Sequence, residues 1–139
     1  MGEKEQKSIL YVEDEPAYVE LFTRILRAAE VQVHTARNGS EGVEIFENLT
    51  PFLVFMDIRM PGIPGYVALR RIKKFAKDNQ IPVKVVMLTS QNTKEDVARA
   101  LSYGADDYLL KPFSRESLFE KIRKFMPEVK INEVHQEEM

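Results

Sequence analysis

The apolar run FLVFM, beginning at Phe52, ends on Asp57 and is followed at once by IRMPG. Other apolar runs also end on polar groups: ILYV on Glu13, Asp14 and Glu15, VKVVML on Thr89 and Ser90, and YLL on Lys111. If these runs are neighbouring strands, their polar ends converge in one crevice. Two carboxylates about 4 Å apart repel by about 4 kcal/mol at an effective dielectric near 20, so packing Asp14 beside Asp57 asks for a counter-ion. Oxygen ligands without His or Cys suit Mg²⁺, which keeps several waters and takes one or two carboxylates together with phosphate oxygens. The site therefore implies a phosphoryl group. Lys111 as a point charge and Thr89 as a hydroxyl donor would meet its remaining oxygens, and Asp57 is the candidate nucleophile.

Such a crevice needs elements to hold it. Strands are expected at Ile9 to Val12, from Val31 (VQVHT), from Phe52, from Val83 and from Tyr108. Between them, Tyr18, Leu21, Phe22, Ile25, Leu26 and Ala29 share one helical face. So do Val43, Phe46 and Leu49, and then Ala68, Leu69, Ile72, Phe75 and Ala76. Val97, Ala100 and Leu101 mark a fourth helix, capped by Thr93 and ended by Gly104. Leu118, Ile122 and Phe125 mark a fifth, with Ser114 as its N-cap. Pro16 and Pro64 suit first helical turns. The alternation implies an α/β fold, a three-layer (βα)5 doubly wound parallel sheet with right-handed crossovers. The alternating VQVHT and the short run beside Asp106 and Asp107 read as edges. The strand order is then 2-1-3-4-5, in which ligands bind beyond the carboxyl ends of strands 1 and 3.

A chain of 139 residues, 44% of them hydrophobic, makes one domain. Residues 1–7 form a polar N-terminal segment, 8–126 the domain, and 127–139 a polar tail expected to be loosely ordered. Lys+Arg 20 against Asp+Glu 22 gives no general attraction to nucleic acid or to an anionic membrane. With no cysteine there is no disulfide framework, thiolate metal site or thiol nucleophile. The N-terminus lacks a signal-peptide core and no apolar run approaches a membrane span, so a cytoplasmic location is expected.

EDEP at Glu13 to Pro16, MDIRMPG at Met56 to Gly62, LTS at Leu88 to Ser90 and DDYLLKPF at Asp106 to Phe113 together resemble a response-regulator receiver domain of two-component signalling. The likeness runs from about Ser8 to Phe125 and is to chemotaxis-regulator-like single-domain receivers with a flavodoxin-like fold. It implies that Asp57 accepts a phosphoryl group from a phosphohistidine on a sensor histidine kinase or phosphotransfer protein. It implies that Asp14, Asp57 and the Arg59 backbone carbonyl bind Mg²⁺, with Glu13 assisting through water. Lys111 would pair with the phosphoryl oxygen, Thr89 would move toward it, and Tyr108 would turn into the vacated space. The chain would then catalyse only its own phosphorylation and dephosphorylation. Output would pass to a downstream protein or a second copy through helix 4, strand 5 and helix 5, carrying Lys94, Glu95, Arg99, Asp106, Arg115, Glu120, Lys121 and Lys124. A cis peptide between Lys111 and Pro112 is also implied. Glu13 stands where many members have Asp, and Arg59 and Gln91 flank the acceptor and hydroxyl positions.

Each residue also has a plainer reading: Asp14 as a helix cap, Thr89 and Ser90 as a turn, Lys111 as a surface lysine, Tyr108 as packing. His34 and His135 lack partners at ligand spacing. An aspartyl phosphohydrolase would want a second acid where Arg59 stands, and a nucleotide binder would not place EDEP in a phosphate loop. A phosphorylation-independent interaction module, or a receiver belonging to a larger regulator or hybrid kinase, are the other readings.

Overall fold

The computed structural model describes residues 7–90 and 94–133. Its elements alternate along the chain: β1 Ser8–Val12, α1 Pro16–Leu26, β2 Gln32–Ala36, α2 Gly39–Leu49, β3 Leu53–Asp57, α3 Gly65–Asp78, β4 Lys84–Thr89, α4 Lys94–Ser102, β5 Asp107–Leu110 and α5 Arg115–Phe125. The strands form one parallel sheet in the order β2-β1-β3-β4-β5. The expected fold and strand order are observed.

Alternation along the strands builds a core on each face of the sheet. Ile9, Tyr11, Leu53, Phe55, Val86 and Leu88 pack under α1 and α5 with Phe22, Leu118, Phe119 and Ile122. Leu10, Val12, Val54, Met56, Val85 and Met87 pack on the other side with Phe46, Leu69 and Ile72. β1 and β3 are buried throughout, while β2 and β5 are partly exposed, as edges are. Pro16 opens α1, and Ser114 and Ser117 cap α5 reciprocally. Pro64 instead occupies the N-cap position of α3, where its carbonyl accepts from Val67 and Ala68.

Several expectations are corrected. Leu49, at the last turn of α2, is 51% exposed, because Thr50 turns the chain away in a left-handed conformation before that side chain meets the sheet. α4 buries only Ala100 fully, leaving Leu101 exposed; Tyr103 just beyond the helix turns to Tyr66 of α3, their centroids 5.3 Å apart. Asp106 does not belong to the outer α4–β5–α5 surface: its carboxylate accepts from Lys73 of α3 at 2.7 Å and from the Val85 backbone at 2.8 Å. Residues 129–132 of the tail pack back onto the domain. Glu30 N–H donates to the Lys130 carbonyl at 2.8 Å and Asn132 N–H to that of Ala28 at 2.7 Å, while Val129 and Ile131 cover the α1–α5 core. Alternating apolar residues in PEVKI meet open backbone at the end of α1, which anchors a segment that composition alone marks as loose. Thr93, Gln91 and His135, the subjects of three sequence expectations, lie outside the described residues.

Candidate functional site

Strand register brings the polar ends together. Val12 lies opposite Met56, so Glu13 and Asp57 end neighbouring strands; Thr89 lies opposite Leu110, so Lys111 follows beside it. Backbone bonds just past the strands hold these ends in place: Glu13 N–H to the Ala36 carbonyl at 2.9 Å, Ile58 N–H to Leu88 at 3.0 Å and Lys111 N–H to Thr89 at 2.9 Å. α3 begins hard against the acceptor. A Cβ on Gly65 would lie 2.4 Å from the Asp57 carbonyl oxygen, so only glycine permits this approach. The Lys111–Pro112 peptide is cis, in agreement with the resemblance.

Glu13, Asp57 and Thr89 are buried, Asp14 is half-buried at the mouth, and Arg59 is exposed. Lys111 Nζ donates to Glu13 Oε1 at 2.9 Å and to Asp57 Oδ2 at 3.2 Å, and its ammonium sits 4.2 Å from the centre of the Tyr18 ring. The Tyr11 hydroxyl donates to the same Glu13 Oε1 at 2.8 Å, and Glu15 N–H donates to Oε2 at 3.2 Å. Asp14 takes no part in capping α1, whose N-cap is Glu15 without a side-chain bond. The plain helix-cap reading of Asp14 therefore fails. Tyr108 is half-buried on β5, beside the cleft that Pro112, Ser117 and Lys121 line.

One ammonium faces two buried acids, and the imbalance shows at Asp57. Burial first, then the charge of Glu13, pushes the Asp57 carboxyl up to about 6, against the lowering effect of Lys111 and of a backbone hydrogen bond from Arg59. Burial pulls Lys111 down, but its bond to Glu13 and the charges of Asp57 and Glu13 outweigh this and raise it. Tyr11 is raised far above the ordinary phenol range by burial and by Glu13, which keeps its hydroxyl protonated as a donor.

Glu13, Asp14 and Asp57 each offer a carboxylate oxygen within 4.8 Å of the others. Hard oxygen donors, an excess of negative charge and a half-exposed Asp14 at the mouth fit a hydrated divalent cation such as Mg²⁺. Of the expected site residues, Glu13, Asp14, Asp57 and Lys111 come together in one place, and the Arg59 backbone is hydrogen-bonded to Asp57, whereas Tyr108 stands apart on β5. Sequence reasoning missed Tyr11 and Tyr18. The available signal was spacing: Tyr11 lies two residues before Glu13 in the extended chain that leaves β1, hence on the same face, and a buried tyrosine hydroxyl needs a partner.

A doubly wound parallel sheet with an acid cluster at the carboxyl ends of β1 and β3 defines a switch-point α/β protein. The profile of the response regulator receiver domain matches residues 9–123, and the chain belongs to that family of two-component signalling. It is 33% identical over 118 residues to the DNA-binding response regulator MtrA of Mycolicibacterium smegmatis, covering 85% of this chain and 50% of MtrA. The chain therefore spans half the length of that relative. Protein PilH of Pseudomonas aeruginosa is 37% identical over 114 residues, covering 82% of this chain and 93% of PilH. A chain in the co-crystal structure of the Saccharomyces cerevisiae histidine phosphotransfer signaling protein Ypd1 and the receiver domain of its downstream response regulator Ssk1 superposes with a TM-score of 0.81. It is 32% identical, covering 88% of this chain and 91% of that one. No helix among the described residues is long and apolar enough to cross a membrane.

Proposed function

We propose that Asp57 accepts a phosphoryl group from a phosphohistidine of a sensor kinase or phosphotransfer protein, and that the modified domain changes its affinity for a partner. The observation that carries this reading is the bridging Lys111, whose ammonium lies 2.9 Å from Glu13 and 3.2 Å from Asp57. A lysine so placed against a buried carboxylate has a group to release and an incoming anion to receive. In the transfer, an Asp57 carboxylate oxygen forms the new P–O bond while the P–N bond to the donor imidazole breaks and its electron pair stays on nitrogen. Asp14, Asp57 and the Arg59 carbonyl would hold Mg²⁺, with Glu13 assisting through water, and the cation when bound would offset the charge of the phosphoryl oxygens. Lys111 moves from pairing two carboxylates to pairing a phosphoryl oxygen, and the Thr89 hydroxyl donates to another. The chain acts on itself alone, so it is not an enzyme toward other substrates. The crystallised pairing of Ypd1 with the Ssk1 receiver supports a phosphotransfer protein as one kind of partner.

The metal assignment has its own check. Mg²⁺ is expected to raise the melting temperature of the wild type, because a cation bound only by the folded acid cluster stabilises it by about 2.7 kcal/mol at a hundred times Kd. Asp14→Ala is expected to lose most of that shift. An undiminished Mg²⁺ response in Asp14→Ala would remove Asp14 from the metal site.

Output is proposed to leave through the α4–β5–α5 face, with Tyr108 following Thr89. Amide chemical shifts recorded with Mg²⁺ and beryllofluoride test this. In the wild type, changes are expected to spread from the crevice to Tyr108 and α4, and in Thr89→Ala to stay in the crevice. Changes confined to the crevice in both proteins would leave a phosphoryl acceptor without output through that face.

A further inference from the structure

We infer that Tyr11 is a positioning residue of the phosphoryl-acceptor site, its hydroxyl holding the Glu13 carboxylate within the metal-binding cluster; this rests on the reading of that cluster as a Mg²⁺ site. Glu13 is fully buried, and its longer side chain has one more rotatable bond than an aspartate would. A free glutamate there would have several ways to leave the cluster. Oε1 accepts from Tyr11 at 2.8 Å and from Lys111 at 2.9 Å, and Oε2 accepts from Glu15 N–H at 3.2 Å, so every contact holds one rotamer. Of these donors, Lys111 must turn toward an incoming phosphoryl group. When it does, Tyr11 is the side-chain donor left on Glu13.

The ring that carries this hydroxyl is itself fixed. Tyr11 is fully buried, stacks on Phe22 with centroids 4.1 Å apart at 20°, and meets the edge of Phe113 at 6.3 Å and 80°. Phe113 follows Lys111–Pro112 directly, so one aromatic cluster sets both the phenol on one side of Glu13 and the loop that carries the lysine on the other. A rigid donor behind an acid beside a metal position is the arrangement in which removing the outer partner costs about tenfold or more in metal affinity. A neighbour that served only as packing would tolerate loss of its hydroxyl oxygen without such a loss.

The test is a double-mutant cycle on Mg²⁺ affinity, measured by calorimetry without any phosphoryl donor, for the wild type, Tyr11→Phe, Glu13→Asp and the double variant. Tyr11→Phe keeps the ring and its stacking, and is expected to weaken Mg²⁺ binding about tenfold. Aspartate at position 13 is too short to reach the phenol, so adding Tyr11→Phe to Glu13→Asp is expected to change affinity less than about twofold. An equal loss in both backgrounds, or none in either, would overturn the role of Tyr11 while leaving the Mg²⁺ site intact. Failure of the wild type to bind Mg²⁺ would overturn the site itself, and this role with it. A second readout needs neither metal nor a change at position 11. The buried Tyr11 hydroxyl proton is expected as a slowly exchanging downfield resonance in the wild type that moves upfield in Glu13→Asp, and an unmoved resonance would also overturn the proposal.

Discussion

Lys111→Met is expected to destabilise the metal-free protein at neutral pH by about 3 kcal/mol or more, because it leaves Glu13 and Asp57 buried together with no counter-charge. Methionine keeps most of the apolar stem, so the loss isolates the ammonium. Its charge is bonded to both acids and covered by the Tyr18 ring, and its side chain is only 7% exposed, which places the pair outside the regime where solvent screens the effect away. In a domain of this size the change corresponds to a fall in melting temperature of about 10 °C. Mg²⁺ is expected to recover part of the loss in the variant, since a cation at the acid cluster supplies charge that the lysine no longer does. Chemical unfolding at pH 7 with and without Mg²⁺ measures both quantities. A loss below about 1 kcal/mol would mean that the acids are not held as the distances indicate.

Asp57→Asn is expected to act in the opposite direction on stability. The folded Asp57 carboxyl is raised from the ordinary 3.8 to about 6, chiefly by burial and by Glu13. Below about pH 4 it is protonated in both folded and unfolded chains and contributes no difference. Between about pH 4 and 6 the folded chain keeps a proton that the unfolded chain releases, so wild-type stability falls as pH rises. Above that window the full penalty applies, about 3 kcal/mol for a rise of this size. Asparagine cannot ionise, so the metal-free variant is expected to be more stable than the wild type at pH 7 by up to that amount, and equal to it near pH 4. Parallel stability curves across the window would contradict the raised carboxyl. Saturating Mg²⁺ favours the ionised acid, and is expected to narrow the gap at pH 7.

How much of this was legible beforehand depends on the length scale of each feature. FLVFM and VVML are apolar throughout because central parallel strands are covered on both faces, and Asp57 after the first of them stood out for that reason. Glu13, Asp14, Thr89 and Lys111 were legible because a parallel sheet collects every strand end of one polarity on one edge, so position along each strand sufficed. Tyr11 was hidden by its own strand: an aromatic in ILYV reads as core, and core it is, apart from one oxygen atom. Asp106 was misplaced because its partners, Lys73 and the Val85 backbone, come from elements far away in the chain. The docking of Val129 and Ile131 depends on unpaired backbone at Ala28 and Glu30, which composition does not reveal. Leu49 and Leu101 sit at helix ends, where a periodic pattern continues in the sequence after the surface it would cover has run out.

The central claim is that Asp57 is a Mg²⁺-assisted phosphoryl acceptor, and intact mass after incubation with Mg²⁺ and acetyl phosphate tests it most directly. The acceptor carboxylate, the lysine and the metal-binding acids all belong to this chain, so a small donor is expected to add one phosphoryl group to the wild type, and none when Mg²⁺ is removed by chelation. Asp57→Asn, which keeps the shape of the site and lacks the nucleophilic oxygen, is expected to remain unmodified under the same conditions. A phosphoryl group on Asp57→Asn to the same extent as on the wild type would contradict the account, as would a wild type that stays unmodified while it binds Mg²⁺.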